Sequence, residues 1–409
     1  MAARFFHNID RQIQSFSTFQ WSCVLFIVSF SLAVSFSFAV FPLMGEATSG
    51  LDPDGYGYAG KILYETGLFP SISKAPLYPA FIASISWLFG GYRIWVIQLG
   101  QCLLFSLTIR VLYAIFRLTL SANIAKYAGL FCAVYPMSIW YIPRLWTETF
   151  LSLMIALFTL SLIITLQKPS IKNLILCGIL FALAALSKGI AIIFLPLTIL
   201  VLAIRFRSKS LLPILLFTFT GMALIAPWTW RNWRMTGRFV PIHANGGYNF
   251  YLGNGFTKHW LESPFSYADL KTRTEIDMEA VRASTGFDPG NPLSVDDALM
   301  QAALDEIMQK PILLVQKLFV QTLTLWYLAA SLSKSLLTGC MQIPIVLLAL
   351  PGLVRALRQR SWALCLIFPI IGIMGAAVLI FSFGRLSVTI IPYLIGIMVY
   401  GLTTAANTA

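Results

Sequence analysis

The sequence predicts an all-α protein that threads a membrane about ten times, on three observations. Of 409 residues, 58% are hydrophobic and 11% charged, with a mean hydropathy of +0.79, more apolar than any soluble domain of this length needs. Apolar runs near the ~20 residues of a spanning helix recur along the whole chain. Basic and acidic residues between the runs fall in alternate loops.

The polar first 20 residues carry Arg4 and Arg11. The apolar run that follows, 20–44, exceeds the ~7–15-residue core of a cleaved signal peptide, so it reads as an uncleaved first span. Runs at 94–116, 124–142, 149–167, 173–187, 188–204, 210–227, 336–354, 362–383 and 386–404 bring the crossings to ten. Two further apolar stretches, 77–90 and 312–333, are short or carry Gln316, Lys317 and Gln321, and read as helices lying in the interface.

With the N-terminus cytoplasmic, the short inner loops hold Arg117 and Lys126, Lys168 and Lys172, Arg205, Arg207 and Lys209, then Arg355, Arg358 and Arg360, as the positive-inside rule requires. Ten of the sixteen acidic residues lie in 228–310, and Glu46, Asp52, Asp54, Glu65 and Glu148 also fall outside, leaving Asp10 inside. Making either interfacial helix a crossing would invert every later loop. The chain divides into an N-terminal transmembrane module, 1–227, whose first outer loop is 45–93; a long outer loop with an interfacial helix, 228–335; and C-terminal transmembrane helices, 336–409. Only 228–310 has globular composition, and it is small enough to be a cap that leans on the rest.

The net charge of +13 is spread among short loops and gathered on no single face, which speaks for membrane topology and against nucleic acid. The six cysteines (Cys23, Cys102, Cys132, Cys177, Cys340 and Cys365) contain no CxxC pair, so neither a disulfide framework nor a zinc site is expected. His7, His243 and His259 lack ligand spacing, and no Gly-rich phosphate loop or nucleophile elbow occurs. No metal or cofactor is expected, although a carboxylate-bound divalent cation stays open.

Charged residues beside a bilayer are costly unless solvated, paired or used. Asp52 and Asp54, in Asp-Pro-Asp-Gly-Tyr, fit a base or metal ligand and equally a solvated turn. Lys74 precedes Ala-Pro-Leu-Tyr-Pro, whose prolines would hold its ammonium at headgroup depth, for a phosphate or for lipid. Arg144 and Glu148, four apart, would share a helix face as a local ion pair, or supply a phosphate-binding arginine and a second acid. Lys188 interrupts a continuous apolar stretch between Ser187 and Gly189, which sets it in a recess that favours an anion. Arg231 sits among the tryptophans of 227–234, an interfacial belt, and can also face an anionic headgroup. Asn245, Tyr248 and Asn249 lie in a glycine- and asparagine-rich segment able to present amides to a sugar. Arg385, between the last two spans, lies on the outer side, where the positive-inside rule does not call for it.

In this order the features resemble the GT-C superfamily of membrane glycosyltransferases, in the branch of protein O-mannosyltransferases and lipid A aminoarabinose transferases. The resemblance covers most of the chain. Asp52 and Tyr56 match an acid four residues before a tyrosine, and Lys74-Ala75-Pro76-Leu77-Tyr78 matches the Lys/Pro-Pro-Leu-Tyr element that follows. Thr147-Glu148, Leu186-Ser187-Lys188-Gly189, Pro227-Trp228 through Arg231-Asn232, Gly246-Gly247-Tyr248-Asn249, Gly253-Asn254 and Arg385 with Pro392 match later elements. Ala75 replaces the first proline, Pro53 replaces the acid that often follows the aspartate, and no large soluble domain follows the last span.

The resemblance implies a bacterial inner-membrane enzyme with a periplasmic site and cytoplasmic termini. It implies a polyprenyl-phosphate sugar as donor and a glycan, lipid or protein acceptor. Asp52, with Asp54 as rival, is expected to take the proton of an acceptor hydroxyl, with inversion at the anomeric carbon. Lys74, Arg144, Lys188, Arg231 and Arg385 would stabilise the departing phosphate; Glu148 would orient the acceptor or the cations; Tyr56 and Tyr78 would line the substrate site with Asn245, Tyr248 and Asn249. A flippase of lipid-linked sugars, or a polymerase or ligase using a lipid diphosphate, would use a similar basic cavity.

Overall fold

The computed structural model describes residues 17–44, 51–285 and 291–405; Arg4, His7, Asp10, Arg11, Glu46 and Asp288 lie outside the described residues. Every regular element among the described residues is helical. Among the described residues, seven helices are long and apolar enough to cross a membrane: Thr18–Met44, Ile94–Thr119, Glu148–Gln167, Gly189–Lys209, Leu211–Thr236, Leu332–Gln359 and Trp362–Leu379. Of five shorter apolar helices, Ala122–Val134, Ile171–Ser187 and Ile391–Thr403 occupy the three remaining expected spans, while Leu77–Leu88 and Ile312–Tyr327 are the two read as interfacial.

Local chemistry sets several of the ends. Ser17 and Gln20 form a reciprocal capping box at the start of the first span, satisfying N–H groups the helix leaves open. The helix Leu211–Thr236 does not stop at Pro227, where the expected span ends, but runs on through the tryptophans to Thr236. Proline is tolerated inside such a helix because surrounding groups re-satisfy the freed backbone. Gly237 ends it with φ 68° and an N–H bond to the Trp233 carbonyl at 2.7 Å, the left-handed cap that glycine adopts without strain.

The spans pack around an aromatic and aliphatic core that includes Phe116, Phe158, Phe181, Phe194 and Phe217, each essentially inaccessible. Two helices near the C-terminus, Leu332–Gln359 and Ile391–Ala405, approach with almost no side chain between them: a Cβ on Gly352 would lie 2.0 Å from the Ile397 carbonyl oxygen. Small residues permit this close backbone approach, a main source of attraction where lipid removes the hydrophobic drive.

The long segment before Ile312 folds as a cap of three helices, Gly246–His259, Tyr267–Thr285 and Pro292–Gln309, around Tyr251, Leu252, Phe256, Leu270, Met278 and Leu299. Ile312–Tyr327 seats this cap. Lys317, wholly buried, donates to the Phe250 carbonyl and to Asn254 Oδ1, both at 3.0 Å. Lys317 and Gln321 therefore face inward, onto the cap, whereas Gln316 is exposed.

Gly352→Ala is expected to lower stability by ~1–3 kcal/mol, the usual cost of overpacking, seen as a lower unfolding temperature in detergent. An unchanged temperature would show that the two helices separate freely.

Candidate active site

Glu148 opens the helix Glu148–Gln167 and is wholly buried. The N–H groups of a first turn favour an anion, but a buried carboxylate also needs charged partners. Lys188 Nζ lies 2.6 Å from its Oε1. Arg385 Nε lies 3.2 Å from the same oxygen, as a charge contact without hydrogen-bond alignment. Arg385 then reaches on through Nη2 to Asp54 Oδ2 at 2.7 Å. Lys74 closes the group: its Nζ donates to the Asp54 carbonyl and lies 5.1 Å from the centre of the Tyr56 ring. Three carboxylates, with Asp52, and three cations thus converge from segments more than 300 residues apart in the chain.

Each member is placed by an irregular stretch at a helix end. Lys188 is extended (φ −159°, ψ 125°) where the helix Ile171–Ser187 gives way to the 3-10 turn Gly189–Ile193. Arg385 is fixed by its loop: Gly384 N–H donates to the Leu328 carbonyl at 2.8 Å, Ser382 N–H to Gln321 Oε1 at 2.6 Å, and Ser387 Oγ to Gln342 Oε1 at 2.7 Å. Both glutamines are wholly buried. The Arg385 guanidinium also lies over the Trp146 ring, 4.6 Å from its centre.

Asp52 and Asp54 differ sharply although two residues apart. Asp52 Oδ2 accepts from Tyr58 N at 2.8 Å, tying the turn to the start of the helix Tyr56–Thr66, whereas its Oδ1 is buried with no hydrogen-bond partner. Burial raises its pKa; the N–H groups of Gly57, Tyr58 and Tyr56 oppose this, and the charge of Asp54 adds to the rise. For Asp54 burial also acts upward, but Arg385, Lys188 and Lys74 outweigh it and hold the carboxyl below the ordinary range. Lys74 is lowered, by burial against the pull of Asp54 and Asp52. A cavity of about 580 Å³ opens beside this turn, lined by Ser37, Phe41, Leu51, Tyr92, Trp95 and Gln98. Among the described residues no group of three or more His, Cys, Asp or Glu is placed to hold a metal ion.

Other expected residues lie elsewhere. Arg144 and Glu148 do not share a helix face, because the helix begins only at Glu148. Arg144 is buried against Phe41, Trp140 and Trp146, with its guanidinium carbon 4.9, 4.9 and 5.4 Å from the ring centres. Arg231 donates to the carbonyls of Phe69 at 2.8 Å and Ser71 at 3.3 Å, which fastens the segment between Tyr56–Thr66 and Leu77–Leu88 to the helix Leu211–Thr236. Tyr78 is fully buried and its hydroxyl donates to Gln101 at 2.9 Å, so it supports the Tyr56 ring from behind, 5.9 Å between centres, and presents no surface to a substrate. Asn249 bonds back to the Asn245 carbonyl at 2.7 Å, and Tyr248 N–H donates to Asp296 at 2.9 Å; both contacts set the start of the cap's first helix.

Sequence reasoning misses Gln321 and Gln342 as holders of the Arg385 loop, and misses His243, whose Nε2 accepts from Gly189 N at 3.3 Å beside Lys188. The only signal for Gln321 is its polarity in an apolar run.

Residues 73–230 match the family model of dolichyl-phosphate-mannose-protein mannosyltransferases. No curated protein matches the chain by sequence. Among solved structures, the oligosaccharyltransferase AglB from Archaeoglobus fulgidus, in complex with an inhibitory peptide and a dolichol-phosphate, superposes with TM-score 0.60 at 12% identity, covering 95% of this chain and 50% of that one. The same archaeal enzyme tethered to an acceptor peptide gives TM-score 0.59 at 13% identity, covering 95% and 50%. ArnT from Cupriavidus metallidurans bound to undecaprenyl phosphate gives TM-score 0.43 at 16% identity, covering 95% and 78%. The chain spans about half the length of AglB. The chain shares the fold of the archaeal oligosaccharyltransferase along 95% of its length, and its residues 73–230 are similar to the mannosyltransferase family.

Glu148→Ala leaves two cations facing a buried void and is expected to cost ~3–5 kcal/mol, as when one side of a buried ion pair is removed. The double variant Glu148→Gln with Lys188→Met should recover part of that loss in thermal unfolding. Equal stability of all three proteins would show that the network carries no structural load.

Proposed function

We propose that the chain is a membrane glycosyltransferase that moves a sugar from a polyprenyl-phosphate carrier to an acceptor hydroxyl at the outer, periplasmic face, with inversion. The observation that carries this reading is the contrast within one cluster. Asp54 and Glu148 are tied to Lys188 and Arg385, while Asp52 Oδ1, beside them, is unpaired.

In this reading the acceptor oxygen attacks the anomeric carbon from the face opposite the phosphate. The new carbon–oxygen bond forms as the bond to the phosphate breaks. The acceptor proton passes to Asp52 Oδ1, and the electron pair leaves on the phosphate, where Lys74, Lys188 and Arg385 stabilise it. A phosphate is already a stable anion, so no general acid is needed. Asp54 is the weaker base because its pairing with Arg385 lowers its proton affinity, whereas burial raises that of Asp52. Glu148 is a positioning residue for the two cations. The family model over 73–230 supports the carrier type, and the gathering of Asp52, Lys74, Glu148, Lys188 and Arg385 at one end of the helix bundle, opposite Arg205 and Arg355, supports a single outer face.

Purified protein incubated with a panel of polyprenyl-phosphate sugars and envelope extract should release free polyprenyl phosphate, followed by mass spectrometry. Asp52→Asn should slow release ~10²- to 10⁴-fold, the usual worth of a general base. Equal rates would transfer the role to Asp54; tight lipid binding without release would favour a flippase; release only from diphosphate-linked glycans would favour a ligase or polymerase.

The pH profile of kcat/KM should be bell-shaped. The base works deprotonated, so the rise occurs through a pKa above the ordinary carboxylate value. Lys74 works protonated, so the fall begins below the ordinary lysine value. An acid limb at the usual aspartate pKa of ~3.9 would exclude Asp52 as the titrating group.

A further inference from the structure

We infer that His243 is a further phosphate ligand of this site, a neutral hydrogen-bond donor that binds a phosphate oxygen of the lipid carrier through Nδ1–H. The inference rests on the carrier reading above and adds a residue to it.

The ring's protonation follows from its contact. Gly189 N–H donates to His243 Nε2 at 3.3 Å, so that nitrogen offers a lone pair and the proton of the neutral imidazole lies on Nδ1. Flipping the ring would set a carbon against Gly189 N–H and lose the bond. Gly189 admits the ring so closely only because it lacks a side chain: a Cβ there would stand 2.6 Å from Nε2.

Nδ1 is buried and has no hydrogen-bond partner in the protein. A buried donor left unpaired is costly and uncommon. Its surroundings indicate what completes it. Lys188, adjacent in sequence to Gly189, and Lys74 are the two charges that act on the ring, and the segment bearing Lys74 is joined to the histidine's own segment by Ala244 N–H to the Ile72 carbonyl at 2.9 Å. Burial, then Lys188 and Lys74, lower the imidazole pKa to about 4, so the ring is neutral at physiological pH and remains so next to two ammonium groups. A neutral donor near two cations completes the shell of an anion without adding a like charge. Asp54 and Glu148 of the cluster are already engaged by Arg385 and Lys188, which leaves the Nδ1 proton for an incoming oxygen.

Two substitutions separate this role from that of holding Gly189. His243→Gln can still reach Gly189 N–H with its amide oxygen but lacks a donor at the Nδ1 position. His243→Asn places an amide N–H near the Nδ1 position and loses Gly189. Affinity for undecaprenyl phosphate in nanodiscs, on the full chain, should fall roughly 10- to 100-fold in the glutamine variant, the worth of a hydrogen bond to a charged group, and stay within about threefold in the asparagine variant. The reverse ranking, in a protein that binds the lipid, overturns the inference and leaves the carrier reading intact. A wild-type protein that does not bind undecaprenyl phosphate overturns both.

Nitrogen NMR of histidine-labelled wild type provides a readout that folding of the variants does not touch, since the chain has three histidines. The His243 signals should be those of the Nδ1–H tautomer, and Nδ1 should shift when the lipid is added. An Nε2–H or doubly protonated ring, or an Nδ1 signal unmoved at saturating lipid, overturns the inference.

Discussion

A carboxylate buried at the first turn of a membrane helix is the constraint on which the site depends. Glu148 has no access to water, and an ion so placed persists only where cations are brought to it. That requirement accounts for otherwise odd local structure. The chain breaks at Lys188 so that an ammonium can reach inward. The loop carrying Arg385 is held on one side by Gln321 and on the other by Gln342, so that its guanidinium spans Glu148 and Asp54. Asp54 is drawn in at the far end of the same arginine, and with it the turn that places Asp52.

Within that turn, two aspartates of ordinary chemistry are driven apart by position alone. Asp54 faces three cations. Asp52 faces backbone N–H groups with one oxygen and nothing with the other. The proline between them fixes φ and the glycine after Asp54, at φ 68°, makes the sharp entry into the helix Tyr56–Thr66. A motif that in sequence resembles plain turn chemistry therefore presents one carboxylate paired with cations and its neighbour with an oxygen left unpaired.

Charge in so apolar a chain is conspicuous, and this is why Asp52, Asp54, Lys74, Glu148, Lys188 and Arg385 stand out in the sequence itself. The long apolar helices are legible for the same reason, since hydropathy is a one-dimensional quantity. What sequence does not convey depends on where helices begin and what lies across from them. Arg144 and Glu148 have helical spacing, yet the helix starts between them. Arg231 and Tyr78 look like ligands, but the partners that occupy them, the Phe69 and Ser71 carbonyls and Gln101, are distant in sequence. His243, Gln321 and Gln342 carry no charge; Gln321 stands out by its apolar neighbours alone, and nothing marks the other two out from other polar residues in a loop or helix.

The cluster is electrically balanced before any ligand arrives, Asp52, Asp54 and Glu148 standing against Lys74, Lys188 and Arg385. An anion entering it does not fill a waiting positive well; it competes with Asp54 for Arg385 and with Glu148 for Lys188. Its affinity is the difference between two sets of ion pairs and is correspondingly modest. A purely cationic pocket would grip a doubly charged phosphate product hardest of all, at the moment it must leave. On the proposed reading, the displaced carboxylates would stand ready to reclaim their partners, so the same residues that hold the site together would also help to empty it.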